Sequence, residues 1–232
     1  MQFFENSVAI SIDSIMTRFP YLEKVLELHQ DLDIDFELEG DVIKLRSPYS
    51  NPVCTNVRGE LDYHTKFFFK NSLHKEPLAK AIGLKKGMPK PFVLDATAGM
   101  LSDSLLLYSF GCKVHAFERH PVAFILSANA LNNFDLDMCI SFGEASESEI
   151  EVDCIYFDPM YALKNEKTLP KKEMRIFREV VGIDADAKIV AQKLKEKSRR
   201  LVVKRSIKGE QLLDNPNMTV KGKSTAYDIY LK

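Results

Sequence analysis

From residue 91 onward the chain alternates short apolar runs with longer helical stretches, and this rhythm restricts its fold more than any other feature. "PFVLDA" (91–96) comes first, then "KVHAFE" (113–118), "DMCISF" (137–142), "DCIYFD" (153–158) and "RRLVVKR" (199–205). Runs this short, bounded by charged or turn-forming residues, read as strands. The first is followed by an apolar helix through Phe110, with Gly111 as its stop. Further helices are expected over 121–134, where Pro121 suits the first turn, and over 171–181 and 184–197. Two last strands fall at 217–220 and 225–231. Strands alternating with helices predict a mainly parallel sheet covered on both faces, a three-layer α/β architecture. In such sheets ligands bind beyond the carboxyl ends of the strands, so the residue that closes each apolar run is a site candidate.

The N-terminal third reads differently, as a small α+β lobe. Phe19, Leu22, Val25 and Leu26 have helical spacing over 19–29, with Pro20 in the first turn. Phe36 and Leu38, then Val42, Ile43 and Leu45, predict two strands joined through Glu39-Gly40-Asp41. Another short strand is expected over 52–57. Residues 58–82 connect this lobe to the rest, becoming helical near 76–82, with Gly83 or Gly87 ending that helix. The division is placed at 1–75 for lobe and connector and 76–232 for the main domain.

Composition narrows the function classes. Lys and Arg number 32 against 33 Asp and Glu, a formal net charge of -1. That excludes non-specific coating of nucleic acid by the whole surface, but not a local basic face. The four cysteines at 54, 112, 139 and 154 are scattered, so neither a disulfide framework nor a structural zinc site is expected. Cys139 and Cys154 are expected to be buried thiols in core strands. No stretch approaches the roughly 18–20 apolar residues that cross a bilayer, and the N-terminus lacks a leader pattern. A soluble cytoplasmic protein is expected, with no membrane contact and no obligate protein partner.

The first strand end, "VLDATAGMLSDS" (93–104), closes on Asp95 and runs into small residues around Gly99 before a helix start. Backbone can approach a ligand there, and free N–H groups lie at the helix start. With no Gly-Lys-Ser/Thr it is not a triphosphate loop, and it does not match GxGxxG. The second end closes on Glu118, whose carboxylate can accept from both hydroxyls of a ribose. Arg119 beside it would lean over an adenine or pair with an acid. At the third end, backbone near Phe142, Gly143 and Glu144 would border the adenine. S-adenosylmethionine (SAM) suits this set better than NAD, because no place for a pyrophosphate is evident.

The fourth end reads Asp158-Pro159-Met160-Tyr161. Asp158 has no companions at metal-ligand spacing, so no metal is expected. Pro159 fixes the backbone after the strand and can leave carbonyls aimed into the cleft. A carboxylate and a carbonyl accept from an exocyclic base amine, and the gain is positional. Tyr161 is placed to stack on the base. A basic run follows at once, including Lys171 and Lys172, while Lys204 and Arg205 close the fifth strand on the same edge. These four are candidate phosphate contacts. His64 has no evident acidic partner and receives no proton-transfer role.

Together "LDATAG", "ERHPV", "YFDPMY", "KKEMRIF" with "VGIDADA", and "VVKR" with "KGKSTAYDIY" resemble the bacterial 16S rRNA guanine-N2 methyltransferases, the SAM-dependent methyltransferase J family. The resemblance is dense from about 58 to 230. It implies a class I, Rossmann-like methyltransferase that modifies a guanine N2 in 16S rRNA or the small ribosomal subunit. By motif it implies cofactor contacts at Ser102, Asp103, Glu118, Arg119 and Asp158, and near Gly143 and Glu144. Two stretches depart from it. The family's usual "DATAGLGRD" reads "DATAGMLSD" here, so a glycine is lost and Ser102 cannot supply arginine's fork of donors. A glycine-rich basic segment is replaced by "HTKFFFKNSLHK". The competing readings are an amino-nitrogen methyltransferase for DNA or another RNA, since an Asp-Pro-x-Tyr turn serves several amine targets, and a non-catalytic RNA-binding assembly protein.

Overall fold

The computed structural model describes residues 1–47, 50–70, 75–134, 136–160 and 179–232. The rhythm after residue 91 becomes a seven-stranded sheet. Its strands are β6 (Phe92–Asp95), β7 (Lys113–Glu118), β8 (Met138–Phe142), β9 (Cys154–Phe157), β10 (Arg200–Ser206), β11 (Met218–Lys221) and β12 (Thr225–Leu231). Their order is β11-β12-β10-β9-β6-β7-β8. The central strands are parallel, and β12 runs antiparallel between β10 and β11. β6 lies between β9 and β7, so the chain order reverses beside it. That is where an α/β crevice opens.

Strand alternation divides the core into two layers around the sheet. Val93, Cys154, Tyr156 and Val202 pack with Leu78, Leu105 and Phe110 from helices α4 (Pro77–Ala81) and α5 (Ser102–Ser109). The neighbours Leu94, Ile155, Phe157, Leu201 and Val203 face the other way. They meet Val190, Ala191 and Leu194 of helix α7 (Ala187–Lys197). This is the expected three-layer sandwich, written in side chains of period two.

A five-stranded sheet, β2-β1-β3-β4-β5, forms the N-terminal lobe. β3 (Asp35–Glu39) and β4 (Val42–Ser47) make the predicted hairpin, with Gly40 at φ 56°. Helix 19–29 is split into a 3₁₀ turn at Pro20–Leu22 and α2 (Glu23–His29). β1 (Gln2–Glu5), β2 (Val8–Ile10) and α1 (Ile12–Arg18) had no sequence expectation. The turn between those strands, Asn6-Ser7, has φ 51° and 66°, the left-handed pair that matches strand twist in a two-residue hairpin.

Helix α6 (Pro121–Asn132) joins the two sheets. Its residues from Pro121 to Leu131 are all buried, because one side covers β7 and β8 while the other enters the lobe's core beside Phe36 and Ile43. A helix apolar all round needs cover on every side. Its one buried amide is well used. Asn129 Oδ1 accepts the Ile43 N–H at 2.8 Å, and Nδ2 donates to the Tyr21 hydroxyl and the Asp41 carbonyl, each at 2.9 Å.

Several expectations are corrected. The strand placed at 52–57 is β5 (Ser50–Val53), an edge strand that tolerates Pro52. Residue 57 instead starts helix α3 (Val57–Lys70), which covers much of the presumed connector. Asn56 caps it, its Oδ1 accepting the Gly59 N–H at 2.9 Å. The helix predicted at 184–197 begins at Ala187, because Asp184 and Asp186 are held by other partners. The helix predicted over 171–181 lies outside the described residues except for its helical end at 179–181. Cys139 is exposed rather than buried, since β8 is the sheet's edge; Cys112 and Cys154 are buried.

Candidate cofactor and target site

β6 delivers Asp95 to the crevice, but this carboxylate works from beneath it. Only 1% exposed, Asp95 accepts the Thr97 N–H through Oδ1 at 3.0 Å and the Ser104 hydroxyl through Oδ2 at 2.5 Å. Burial pushes it up to about 7, against the pull of those two donors. It shapes the turn that follows. Gly99 has φ 51° and Leu101 φ 66°, two left-handed residues within three positions. Leu101 takes the region where the resemblance expects glycine. The left-handed turn survives that loss at a cost of roughly 1–2 kcal/mol, offset by complete burial of the leucine side chain.

β7 brings Glu118 against this turn. Its Oε2 accepts the Gly99 N–H at 2.8 Å and its Oε1 the His120 N–H at 2.7 Å. The first and second strand ends are thereby tied through one carboxylate. Beside it lies a cavity of about 340 Å³, bordered by Thr97, Gly99, Glu118, His120, Glu144 and Asp158, with segment 181–184 also on its wall. Gly143, at φ 133°, donates its N–H to the Glu118 carbonyl at 3.0 Å and sets Glu144 at the cavity.

Arg119 resolves toward acids. Its guanidinium meets both oxygens of Asp186 at 2.7 Å, Glu144 at 3.0 Å, and Asp184. The Asp186 bond, then those to Asp184, hold Arg119 above its ordinary range despite burial. Asp184 in turn grips the target loop, accepting the Met160 N–H at 2.5 Å and donating its own N–H to the Met160 carbonyl at 3.0 Å. The clasp therefore links the ends of β7 and β8 to the turn after β9.

β9 is followed by Asp158, whose N–H donates to Thr97 Oγ1 at 2.8 Å. Its Oδ2 accepts from Lys204 Nζ at 2.8 Å, and the same nitrogen donates to Asp103 Oδ2 at 2.6 Å. The Tyr156 hydroxyl adds a 2.5 Å bond to that Asp103 oxygen. Burial pushes Asp103 up, but the charge and hydrogen bond of Lys204 outweigh it and hold the carboxyl below its usual range. Burial likewise opposes the ammonium, and the two carboxylates outweigh it, so Lys204 stays charged well above its ordinary range.

Gly99, Glu118, Arg119, Glu144 and Asp158 thus share one cavity. Asp95, Ser102, Asp103, Gly143 and Pro159 do not border it: Asp95 and Gly143 shape its walls, and Ser102 is exposed at the start of α5. Two placements differ from expectation. Lys204, expected to meet phosphate at the cleft, is engaged by two carboxylates, Asp103 and Asp158. Arg205 is bound to the buried Asp228, Nε to Oδ2 at 2.6 Å, because β12 sets that acid opposite Val203, two positions along the same face of β10. Tyr161, Lys171 and Lys172 lie outside the described residues. His64 does have an acidic neighbour, Glu60 one helical turn earlier at 3.6 Å. The sequence reading gave no role to Thr97, His120, Asp184 or Asp186. Two acids at alternate positions in "IDAD" were the visible signal for the last pair.

The chemistry of the wall suits a nucleoside with an amino-acid arm. Glu118 is an acceptor for paired hydroxyls, Phe157, Ile183 and Val190 give apolar surface, and His120 Nδ1 is buried with no hydrogen-bond partner among the described residues. A sheet of this order, with such a cavity at its carboxyl edge, defines a class I, Rossmann-like methyltransferase. A family model described as "Putative SAM-dependent methyltransferase" matches residues 23–232. The chain is 35% identical to ribosomal RNA small subunit methyltransferase J of Shewanella sp. (strain MR-4), over 93% of this chain and 90% of that one. It is 37% identical to the protein of the same name from Thioalkalivibrio sulfidiphilus, over 75% and 74%. The chain belongs to this family of SAM-dependent methyltransferases, the methyltransferase J proteins. It is an enzyme, and SAM is its cofactor. A crystal structure of a SAM-dependent methyltransferase from Neisseria gonorrhoeae superposes with a TM-score of 0.64 at 26% identity, covering 91% of each chain. A T. Thermophilus 16S rRNA N2 G1207 methyltransferase superposes at 0.50 with 18% identity, over 82% of this chain and 47% of that one, a likeness of fold alone.

Glu118, as the expected ribose acceptor, is expected to make SAM binding sensitive to pH. Burial pushes its carboxyl up to about 7, against the two backbone donors and Arg119. A carboxyl with a folded pKa above its unfolded value supports the fold fully below the unfolded value, and that support is lost as pH rises through about 7. The same ionisation strengthens it as an acceptor for ribose hydroxyls. SAM affinity is expected to rise from about pH 6 to about pH 8, a window centred on that carboxyl. Glu118→Gln should flatten the rise and lower affinity about tenfold to a hundredfold, since charged hydrogen bonds are worth about 1.5–3 kcal/mol each. Calorimetric titration across pH checks both, and an unchanged slope in the variant would refute the assignment.

Proposed function

We propose that the protein methylates the exocyclic N2 of a guanine in small-subunit (16S) ribosomal RNA. The observation that carries this reading is that Glu118 and Asp158 border one cavity, the first suited to a ribose and the second to an amine. SAM supplies a methyl group on a sulfonium, open to displacement by a nitrogen lone pair. The chain's own part is to place that nitrogen. Asp158 is anchored at its N–H by Thr97 and at Oδ2 by Lys204, so its carboxylate is a fixed acceptor for an amine hydrogen. Met160, next to Pro159, is held at both its N–H and its carbonyl by Asp184, which fixes the backbone of the turn. Fixed acceptors raise the rate by orientation more than by proton transfer.

A base inside a duplex must leave the stack to reach such a site, and an unpaired nucleotide avoids part of that cost. Tyr161 is proposed to stack on it, with Lys171 and Lys172 on the phosphates; Arg119, Glu144 and Asp158 are proposed to border the cofactor. This reading places the enzyme with the ribosome in the cytoplasm. Among the described residues no helix is long and apolar enough to cross a membrane.

The test is mass spectrometry of 16S rRNA fragments after incubation with pure protein and labelled SAM, on free rRNA and on 30S particles. One added methyl group on a guanosine N2 is the expected result. Label in DNA or in another RNA alone would move the enzyme to a different target, and no transfer to either substrate would favour a binding protein.

A further inference from the structure

The Lys204 ammonium lies between Asp158 and Asp103 of the helix that follows the cofactor turn, and its place follows from the strand register. Val203 of β10 pairs with Phe157 of β9, so the next residues, Lys204 and Asp158, leave adjacent parallel strands side by side at the carboxyl edge. Val202 lies on the face occupied by Tyr156 and α5, and period two returns Lys204 to that face. Asp103, in the first turn of α5, waits there. One nitrogen therefore bonds two carboxylates, one just past β9 and one in the first turn of α5, that would otherwise repel at close range.

We propose that Lys204 is a positioning residue for methyl transfer, holding Asp158 by Oδ2 so that its carboxylate meets the amine in one orientation, with Asp103, itself bonded by the Tyr156 hydroxyl, fixing the ammonium from behind. The idea rests on the reading of Asp158 given above. A phosphate contact would need the ammonium at the outer edge, whereas its side chain is only 21% exposed and engaged on both sides. A base role is closed as well, because the two acids keep the group protonated.

Two variants of the full chain separate the roles, assayed on the rRNA substrate with SAM. Lys204→Met is expected to lower kcat about a hundredfold, the scale of a misplaced catalytic group. KM for SAM should stay within about threefold. The salt dependence of RNA affinity should be unchanged, whereas loss of one phosphate contact on a single strand would reduce its logarithmic slope by about 0.7. Since Lys204→Met strands two carboxylates, Asp103→Asn with Lys204→Met removes one of them. That double variant should recover thermal stability but remain as slow. Recovery of kcat to within about threefold in the double variant would reduce Lys204 to a counter-charge for Asp103 and overturn the proposal. So would a lowered salt slope with kcat intact, or failure of both variants to fold, which would make the ammonium a purely structural ion. Asp158→Ala runs alongside. If it methylates like wild type, the reading of Asp158 fails; if it is inactive while Lys204→Met is active, only the role of Lys204 fails.

Discussion

Asp158→Ala is expected to slow methyl transfer about a thousandfold, or about 4 kcal/mol of barrier, in single-turnover assays at saturating SAM and RNA. The size follows from what the carboxylate does. It is the acceptor proposed for the amine, and its position is set by Thr97 on the backbone and Lys204 on the side chain. Alanine removes the acceptor and leaves the turn. The fold should persist, because Lys204 keeps Asp103 as a partner and Met160 keeps both bonds to Asp184. Asp158→Asn should recover about tenfold of the loss at most. Its amide retains one acceptor oxygen, and turning that oxygen to the amine sets an NH₂ against the ammonium. A rate for Asp158→Ala within about threefold of wild type would remove Asp158 from the reaction.

The main sheet was legible because its signal is local. Each strand from β6 to β10 is a short apolar run closed by a charged or small residue, and period two inside a run separates the layers without any knowledge of partners. Helix α3 shows the opposite case. Aromatic and basic residues obscured Val57, Leu61 and His64 at helical spacing, and only the Asn56 cap states where the helix begins. The edge position of β8 is a property of sheet order, which no single strand encodes. Cys139 was therefore read as a buried thiol in a core strand and is exposed in fact.

The site divides along the same line. Glu118 and Asp158 were visible because each closes an apolar run, and topology alone brings strand ends to one edge. Partners that cross the chain were not visible. Arg119 is bound to acids 65 and 67 positions later, and Lys204 to one 101 positions earlier. The sign of a charge tells that it will find an opposite, but not which one. Lys204 and Arg205 were read together as phosphate contacts on the edge shared with Asp158 for this reason. Adjacent residues on a strand face opposite layers, so they meet different acids, Asp103 with Asp158 on one side and Asp228 on the other.

That division gives Arg205 a structural account with a large expected effect. Asp228, fully buried on β12, accepts Arg205 Nε through Oδ2 at 2.6 Å and the Thr219 hydroxyl through Oδ1 at 2.6 Å. Arg205 also donates to the carbonyls of Ser206 and Gly209, at 3.2 and 3.0 Å, so the pair locks β10, β11, β12 and the turn after β10 together. Asp228→Ala leaves a guanidinium with its counter-charge gone, in a place where water cannot replace it. The expected loss is about 3–5 kcal/mol in urea denaturation. For a chain of this size that corresponds to a Tm lower by roughly 6–20 °C. Replacing both members, Arg205→Met with Asp228→Leu, removes the stranded charge and should restore most of that loss. The same double variant tests the phosphate role. An unchanged salt slope for RNA binding leaves Arg205 as the clamp of the last hairpin, whereas a slope reduced by about 0.7 in a stably folded chain would return it to the RNA.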